Sequence, residues 1–347
     1  MGIAVNARIL TGGITGLQRY TSEILARLPV ELERVGPERP LPRSIGNLWD
    51  QLILPMKLNG RGLWSPGNVG PLAIDRQVVT IHDVVALEAP HLVDRRFAAW
   101  YRWITPRLVR RVAHVLTTSE FSKSCIMRYA EIDEANITVI PNGVDSRFRP
   151  MEAAELDEMH SALSLPSKRY VLCVGSVEPR KNVGRLLEAW RSAEGSLPED
   201  VHLVLAGKRR TVSTMDAVEK TGRRTSRVVW TGHVPDHLIA PLYAGATAFV
   251  FPSLYEGFGL PPLEAMACGV PVLSSDRASL PEVVGRCALF VDPEDTDAIA
   301  SGIIRLVEDE TLRAALVRAG RNRAAELTWD QCAERTWSVL QSVLGAQ

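Results

Sequence analysis

The chain has 347 residues, too many for a small stapled module and enough for two domains at roughly 150 residues each. Its 40 Lys+Arg balance 40 Asp+Glu, so no global positive field exists for gripping nucleic acid, and no nucleic-acid partner is expected. With 46% hydrophobic and 23% charged residues, the composition excludes a disordered chain and permits a large core.

The neutrality conceals a split. Residues 1–150 hold 19 Lys+Arg against 14 Asp+Glu, and the remainder holds 21 against 26. The five cysteines, Cys125, Cys173, Cys268, Cys287 and Cys332, form no C-x-x-C pair, which speaks against a disulfide framework or zinc knuckle and for a reducing compartment. MGIAVNARIL reads as a strand, not as a signal sequence. No stretch approaches the ~20 apolar residues of a membrane span. A cytoplasmic location is the expectation.

In chain order, apolar runs alternate with helix-like stretches: IAVNA (3–7), VVTIH (78–82), HVLTTS (114–119), ITVIPN (137–142), YVLCVGS (170–176), HLVLAG (202–207), VVWTG (228–232), AFVFPS (248–253) and PVLSS (271–275). Runs that are apolar throughout suit parallel strands covered by helices on both faces, so an α/β, doubly wound chain is predicted. Residues 29–48, with four prolines and two glycines, read as a long loop. The domain junction falls within 143–168, where turn signals and one helix replace strands. AAELTWDQCAERTWSVLQSVL predicts an amphipathic C-terminal helix, its apolar line running through Leu327, Cys332, Trp337, Leu340, Val343 and Leu344.

Ligands of open α/β sheets lie beyond the carboxyl ends of strands, and four such places stand out. In FPSLYEGFGLPPLEAMACGVPV (251–272), Glu256 precedes Gly257, Phe258, Gly259 and Leu260, and Pro261 and Pro262 open a helix whose first turn should contain Glu264. The glycines let backbone N–H groups approach a phosphate near the helix N-terminus. Glu264 can clasp ribose hydroxyls or simply cap the helix; Glu256 can meet sugar hydroxyls or serve the turn. In VGSVEPRKNVGRLLEAW (174–190), Gly175 and Ser176 leave a strand, and Arg180 and Lys181 crowd positive charge against a helix entry, a conflict that a diphosphate, or plain solvation, would relieve.

VVTIHDVVAL (78–87) places His82 and Asp83 at a strand end, where His82 can hydrogen-bond a transferring sugar, carry a proton, or join Asp83 in capping the turn. RILTGGITGLQRYTSEIL (8–25) puts Gly12, Gly13 and Gly16 between the first strand and helix. The order is G-G-x-x-G, not the G-x-G-x-x-G of a nicotinamide site, but the turn can admit a pyrophosphate or acceptor. The remaining histidines and acids show no metal-ligand spacing, so no metal is expected.

Together, EGFGLPPLE (256–264) with its E-x(7)-E spacing, EPRKN (178–182), TIHD (80–83), TTSEFSKS (117–124), IPNGVD (140–145), LPEVVG (280–285) and the Gly-rich first turn resemble the retaining GT-B nucleotide-sugar glycosyltransferases of family 4. The resemblance implies two Rossmann-like domains facing across a cleft. An acceptor domain would cover 1–148, a donor domain 149–328, and the helix of 329–347 would cross back to the first. Carried over residue by residue, Glu264 would bind the ribose, Glu256 and the Gly257–Leu260 backbone the donor sugar and diphosphate, and Arg180 and Lys181 the phosphate charge. His82 would sit by the transferring sugar, Ser176 in the donor loop, Gly13 and Gly16 near the diphosphate or acceptor, and Lys208, His233 and Val234 near the base. It also implies catalysis without a metal or other cofactor, front-face attack with retention, and a nucleotide sugar, best matched by GDP-mannose with UDP-hexoses close in pattern, as donor in surface-polysaccharide synthesis. The acceptor would be a saccharide or polyprenyl-linked saccharide.

RRFAAWYRWITPRLVRR (95–111) mixes arginines with Phe97, Trp100, Tyr101 and Trp103, as a peripheral contact with the inner face of an anionic membrane would. An ordinary helix with snorkelling arginines has the same composition. The rival classes are a sugar-nucleotide epimerase, which needs no acceptor, a scaffold with a decayed site, and a nicotinamide oxidoreductase.

Overall fold

The computed structural model describes residues 2–12, 16–208 and 227–345, and the chain divides into two compact units, Met1–Gly143 with Leu327–Gln347, and Val144–Glu326. In the first unit, β1 (Ile3–Asn6), β2 (Glu33–Val35), β3 (Gly62–Ser65), β4 (Gln77–Ile81), β5 (His114–Thr117) and β6 (Ile137–Val139) form one parallel sheet in the order β2-β1-β3-β4-β5-β6. In the second, β7 (Arg169–Val174), β8 (Val201–Ala206), β9 (Val228–Gly232), β10 (Ala248–Phe251), β11 (Val272–Ser275) and β12 (Leu289–Val291) form another, in the order β12-β11-β10-β7-β8-β9. Every strand pair is parallel. β3, β4, β10 and β11 are buried along their whole length, which is why their sequences do not alternate.

Three strands escape the apolar-run reading: β2 within the proline-rich stretch, β3 and β12. β2 (ERV) and β3 (GLWS) carry charged, polar or glycine residues in place of an apolar run, and β12 offers only LFV. Residues 29–48 are accordingly not one loop. They hold β2, and from Arg43 the start of a 15-residue helix, Arg43–Lys57, that opens directly after Pro42.

Both sheets reverse their winding once. The chain steps from β1 to β2 and returns to β3, and it steps from β7 through β9 and returns to β10. Loops leaving β1 and β3, and loops leaving β7 and β10, therefore flank the crevices where such sheets take ligands.

The last helix, Trp329–Leu340, packs on the helix Gly16–Leu25 of the first unit. Its buried face is Trp329, Cys332, Ala333, Thr336 and Leu340, with Trp329 edge-on to Tyr20 at 6.1 Å. Trp337, expected on that line, is only half-buried and Thr336 takes its place. The five cysteines are free thiols. No helix among the described residues is long and apolar enough to cross a membrane.

The IPNGVD turn meets this returning helix. A Cβ at Gly143 would lie 2.0 Å from the Trp329 backbone nitrogen, so only glycine permits the approach. Gly143→Ala should destabilise the protein by about 2 kcal/mol or more, the range of a backbone clash in a packed region; an unchanged denaturant midpoint would show that the turn has room.

Candidate functional site

In the second unit the loops leaving β7 and β10 are joined by charge. After Gly175 and Ser176 the chain makes a short 3-10 turn, Pro179–Lys181, and then Asn182 takes a left-handed conformation (φ 57°) before the helix Val183–Ala193. Asparagine tolerates that region better than most residues. Its Nδ2 donates to the carbonyls of Pro252 (3.2 Å) and Pro293 (2.6 Å), and the Leu254 N–H donates to Arg180 O (2.8 Å). The two loops are thus held at fixed separation.

Across them, Glu256 accepts from Lys181 Nζ (2.7 Å) and Ser253 Oγ (2.8 Å) on Oε1 and from Arg180 Nη1 (2.8 Å) on Oε2. Arg180 Nε donates to Glu178 (3.1 Å), which also accepts from Ser176 Oγ (2.9 Å). Lys181 Nζ also lies 4.5 Å from the centre of the Phe251 ring, a cation–π contact. Burial pushes the Glu256 carboxyl up, but Arg180 and Lys181 outweigh it and hold it down at about 2. Burial likewise lowers the Lys181 ammonium, against the pull of Glu256. The anion that relieves the positive crowding at 180–181 is therefore a protein carboxylate, not only a prospective ligand. Glu178 and Ser253 are parts of the arrangement that the sequence reading did not pick out.

The glycine loop is shaped from beneath. The buried Ser279 hydroxyl bonds the carbonyls of Glu256 (2.9 Å) and Phe258 (2.8 Å). In a trans peptide the N–H points opposite its carbonyl, so the Gly257 and Gly259 N–H groups face away from Ser279. Gly259 has φ +117°, and a Cβ there would lie 2.6 Å from Leu280 Cδ2, so the turn into the helix Leu260–Ala267 requires glycine. Phe258 is buried and Leu260 half-buried. Ser279 also went unnoticed in the sequence, although it directly precedes LPEVVG.

Glu264 is the fifth residue of that helix, and the first turn carries no acid. The expectation of a first-turn carboxylate is thus corrected: the helix begins at Leu260, one residue before the prolines, so Glu264 falls in the second turn, where it cannot cap. It is buried and shares its electrostatic surroundings with Arg147, whose guanidinium pairs with Asp236. Farther along the same sheet end, Val177 N–H donates to Lys208 O (3.1 Å) and Gly207 N–H to Gly232 O (2.8 Å). Lys208 and His233 are exposed and Val234 is buried beside them.

In the first unit, His82 follows β4. A carbonyl only accepts, so the 2.7 Å contact of His82 Nε2 with Pro66 O puts the ring proton on Nε2. Asn68 Oδ1 accepts from the His82 backbone N–H (2.6 Å), and Tyr20 stands edge-on at 4.5 Å. Burial lowers the His82 pKa to about 4, leaving a neutral imidazole near pH 7. That suits it to hydrogen bonding. Asp83 alone caps the following turn, accepting from Val85 N–H (3.2 Å). Gly16 opens the first helix with open space around it, and Gly13 lies outside the described residues.

At the β1/β3 reversal, Asn6, Arg8, Ile9, Gly67 and Val69 line a hollow, with Arg8 Nε (2.9 Å to each oxygen) and Nη2 (2.5 Å) gripping buried Asp50. The sequence gives no local signal for that pair, because its members lie 42 residues apart. Among the described residues no group of three or more His, Cys, Asp or Glu is placed to hold a metal ion.

Residues 157–323 match the family Glycosyl transferases group 1, and residues 61–148 match Glycosyltransferase Family 4. The O-antigen chain mannosyltransferase B of Escherichia coli is 34% identical over 268 residues, covering 77% of this chain and 70% of that protein. The chain belongs to the family 4 glycosyltransferases. The serotype-specific mannosyltransferase WbdA of Escherichia coli is 29% identical over 73% of this glycosyltransferase but 32% of its own length, so the glycosyltransferase spans about a third of that relative. Of solved structures, Anabaena Alr3699/HepE in complex with UDP and glucose superposes with a TM-score of 0.76 at 18% identity, over 99% of the glycosyltransferase and 100% of that chain. The fold is GT-B, an α/β fold of two parallel-sheet domains.

Two measurements test the electrostatics of the glycosyltransferase. Glu256→Gln should lower stability at pH 7 by about 3 kcal/mol, since it strands the buried Lys181 ammonium while half-buried Arg180 keeps Glu178, and a midpoint within error of the parent would refute the ion cluster. For His82, a folded pKa of about 4 against 6.5 unfolded means that the unfolded chain takes the proton first. Stability should therefore fall as pH drops from 6.5 to 4, by up to about 3 kcal/mol. Subtracting the profile of His82→Gln isolates that component, and identical profiles would contradict a buried neutral ring.

Proposed function

We propose that this glycosyltransferase moves mannose from GDP-mannose to a saccharide or polyprenyl-linked saccharide acceptor during surface-polysaccharide synthesis, with retention at the anomeric carbon and without a metal ion. The observation that carries the reading is the Arg180–Glu256–Lys181 cluster at the β7/β10 reversal beside the Gly257–Leu260 turn. Cations held in place before the donor arrives need no reorganisation to stabilise a leaving diphosphate. Mannose and the polysaccharide setting are supported by the names of the relatives.

In this reading the diphosphate meets Arg180, Lys181 and the N–H groups of the glycine turn, with Ser176 in the same loop. Glu264 takes the ribose hydroxyls, Glu256 the donor sugar, and Lys208 and Val234 flank the base. The neutral His82 hydrogen-bonds the transferring sugar, and the first unit, with Gly13 and Gly16, receives the acceptor. Front-face attack breaks the bond from the anomeric carbon to phosphate and makes one to the acceptor oxygen, whose proton passes to the departing phosphate. We place the reaction in the cytoplasm, with 95–111 contacting the inner face of the membrane.

GDP-mannose should raise the thermal midpoint, by the equivalent of about 2.7 kcal/mol at a hundredfold excess over Kd, and Glu264→Ala should abolish the shift. UDP-glucose should give a smaller shift, and EDTA should change nothing. No shift with any GDP- or UDP-sugar would refute the assignment, and a donor sugar altered without any acceptor would favour an epimerase.

A further inference from the structure

The helix Arg43–Lys57 is fastened to the first unit by Gly46, Asp50 and Leu54, which are buried, and Asp50 is tied to Arg8. Its other side is unusual. Ile45 (52% exposed), Leu48 (57%), Leu52 (57%) and Met56 (68%) face water at spacings of three, four and four residues, which places them on one face. They form a stripe about 16 Å long at 1.5 Å per residue. From Ser44 to Met56 the one charged side chain is Asp50, turned inward, whereas a water-facing helix side is ordinarily charged. Among the described residues the other exposed large hydrophobics are Val30 and Trp103, both in the same unit.

A basic, aromatic helix meets the N-terminal end of this one. The Arg43 guanidinium lies 5.0 Å from the Phe97 ring centre in the first turn of the helix Arg95–Val109, and Phe97 packs on Tyr101 at 4.3 Å. Arg95, Arg96, Arg102 and Arg107 of that helix are exposed, and Arg107 covers exposed Trp103 at 4.9 Å. Pro106 is accommodated inside the helix. An uncharged apolar stripe on one helix and exposed arginines on the helix that meets its N-terminal end match the chemistry of an anionic bilayer: acyl chains for one, headgroup phosphates for the other. A second copy of the chain would bring the same arginine-rich unit with it, and like charge disfavours self-association.

We propose that the helix Arg43–Lys57 docks this protein on an anionic lipid surface by inserting Ile45, Leu48, Leu52 and Met56 into the outer acyl layer. The inference rests on the reading of 95–111 as lipid-facing only for its charged half, and it does not depend on donor or acceptor identity.

Flotation of the full chain with phosphatidylcholine vesicles, with and without phosphatidylglycerol, tests it. The parent should float with the anionic vesicles only. Leu48→Glu with Leu52→Glu should lower its partition coefficient at least about tenfold without moving the unfolding midpoint, because both side chains already face water. Should that pair unfold, Leu48→Ser with Leu52→Ser should still give a severalfold loss. Parent-like flotation of these variants overturns the proposal. If Arg95→Glu with Arg96→Glu releases the protein while the leucine variants stay bound, the 95–111 reading stands and the stripe proposal falls. A parent that floats with neither vesicle overturns both. A parent dimer in light scattering that the leucine variants convert to monomer, with no flotation, assigns the stripe to a second copy instead.

Discussion

Two cations and two carboxylates pair between the loops that leave β7 and β10, with Lys181 and Glu256 buried and Arg180 and Glu178 half-buried, and the second unit is arranged to keep them there. Each carboxylate has a serine donor, Ser253 on Glu256 and Ser176 on Glu178, and Asn182 ties the loop after β7 to the carbonyls of Pro252 and Pro293. Removing charges from water is expensive, and attraction between them compensates only where geometry is fixed. The asparagine, the serines and the glycine turn supply that rigidity. The proposed catalytic reading follows from the same constraint, since a site that has already oriented its cations can act on charge that appears only as the leaving group departs.

The first unit answers the same topology differently. Its sheet also reverses beside the first strand, but the group at the end of β4 is a neutral histidine whose protonation is opposed by burial. The hollow at β1/β3 is bordered by an arginine already neutralised by Asp50. One Rossmann-like half thus concentrates charge where a diphosphate would lie, and the other suppresses it where a sugar would. The imbalance of Lys+Arg over Asp+Glu in residues 1–150 is spent on the surface, notably on the arginines of 95–111.

Much of this was legible in the sequence because buried parallel strands write their burial into uninterrupted apolar runs, and because loops at strand ends keep their chemistry local. EGFGLPPLE and EPRKN announced the cluster residues individually. What no local pattern could give was their mutual pairing: Arg180 and Lys181 lie 76 and 75 residues from Glu256, and the sequence reading therefore assigned their charge to a ligand. Ser279 was invisible for a similar reason, since a serine ahead of LPEVVG has no pattern until the chain folds it beneath the glycine turn. β2 and β3 escaped because ERV and GLWS are not apolar runs, and β12 because LFV is a short one. The stripe on Arg43–Lys57 was masked by the prolines ahead of it, which made its first turns look like loop.

The return of the Trp329–Leu340 helix to the first unit makes that unit discontinuous, with the whole second unit spliced between Gly143 and Leu327. During synthesis the order of completion is then inverted. Val144–Glu326 is contiguous and has all its strands as soon as it leaves the ribosome, whereas the earlier-made residues must wait for Trp329 before Tyr20 is covered. The nascent first unit spends that interval with the apolar surface around Tyr20 unsealed.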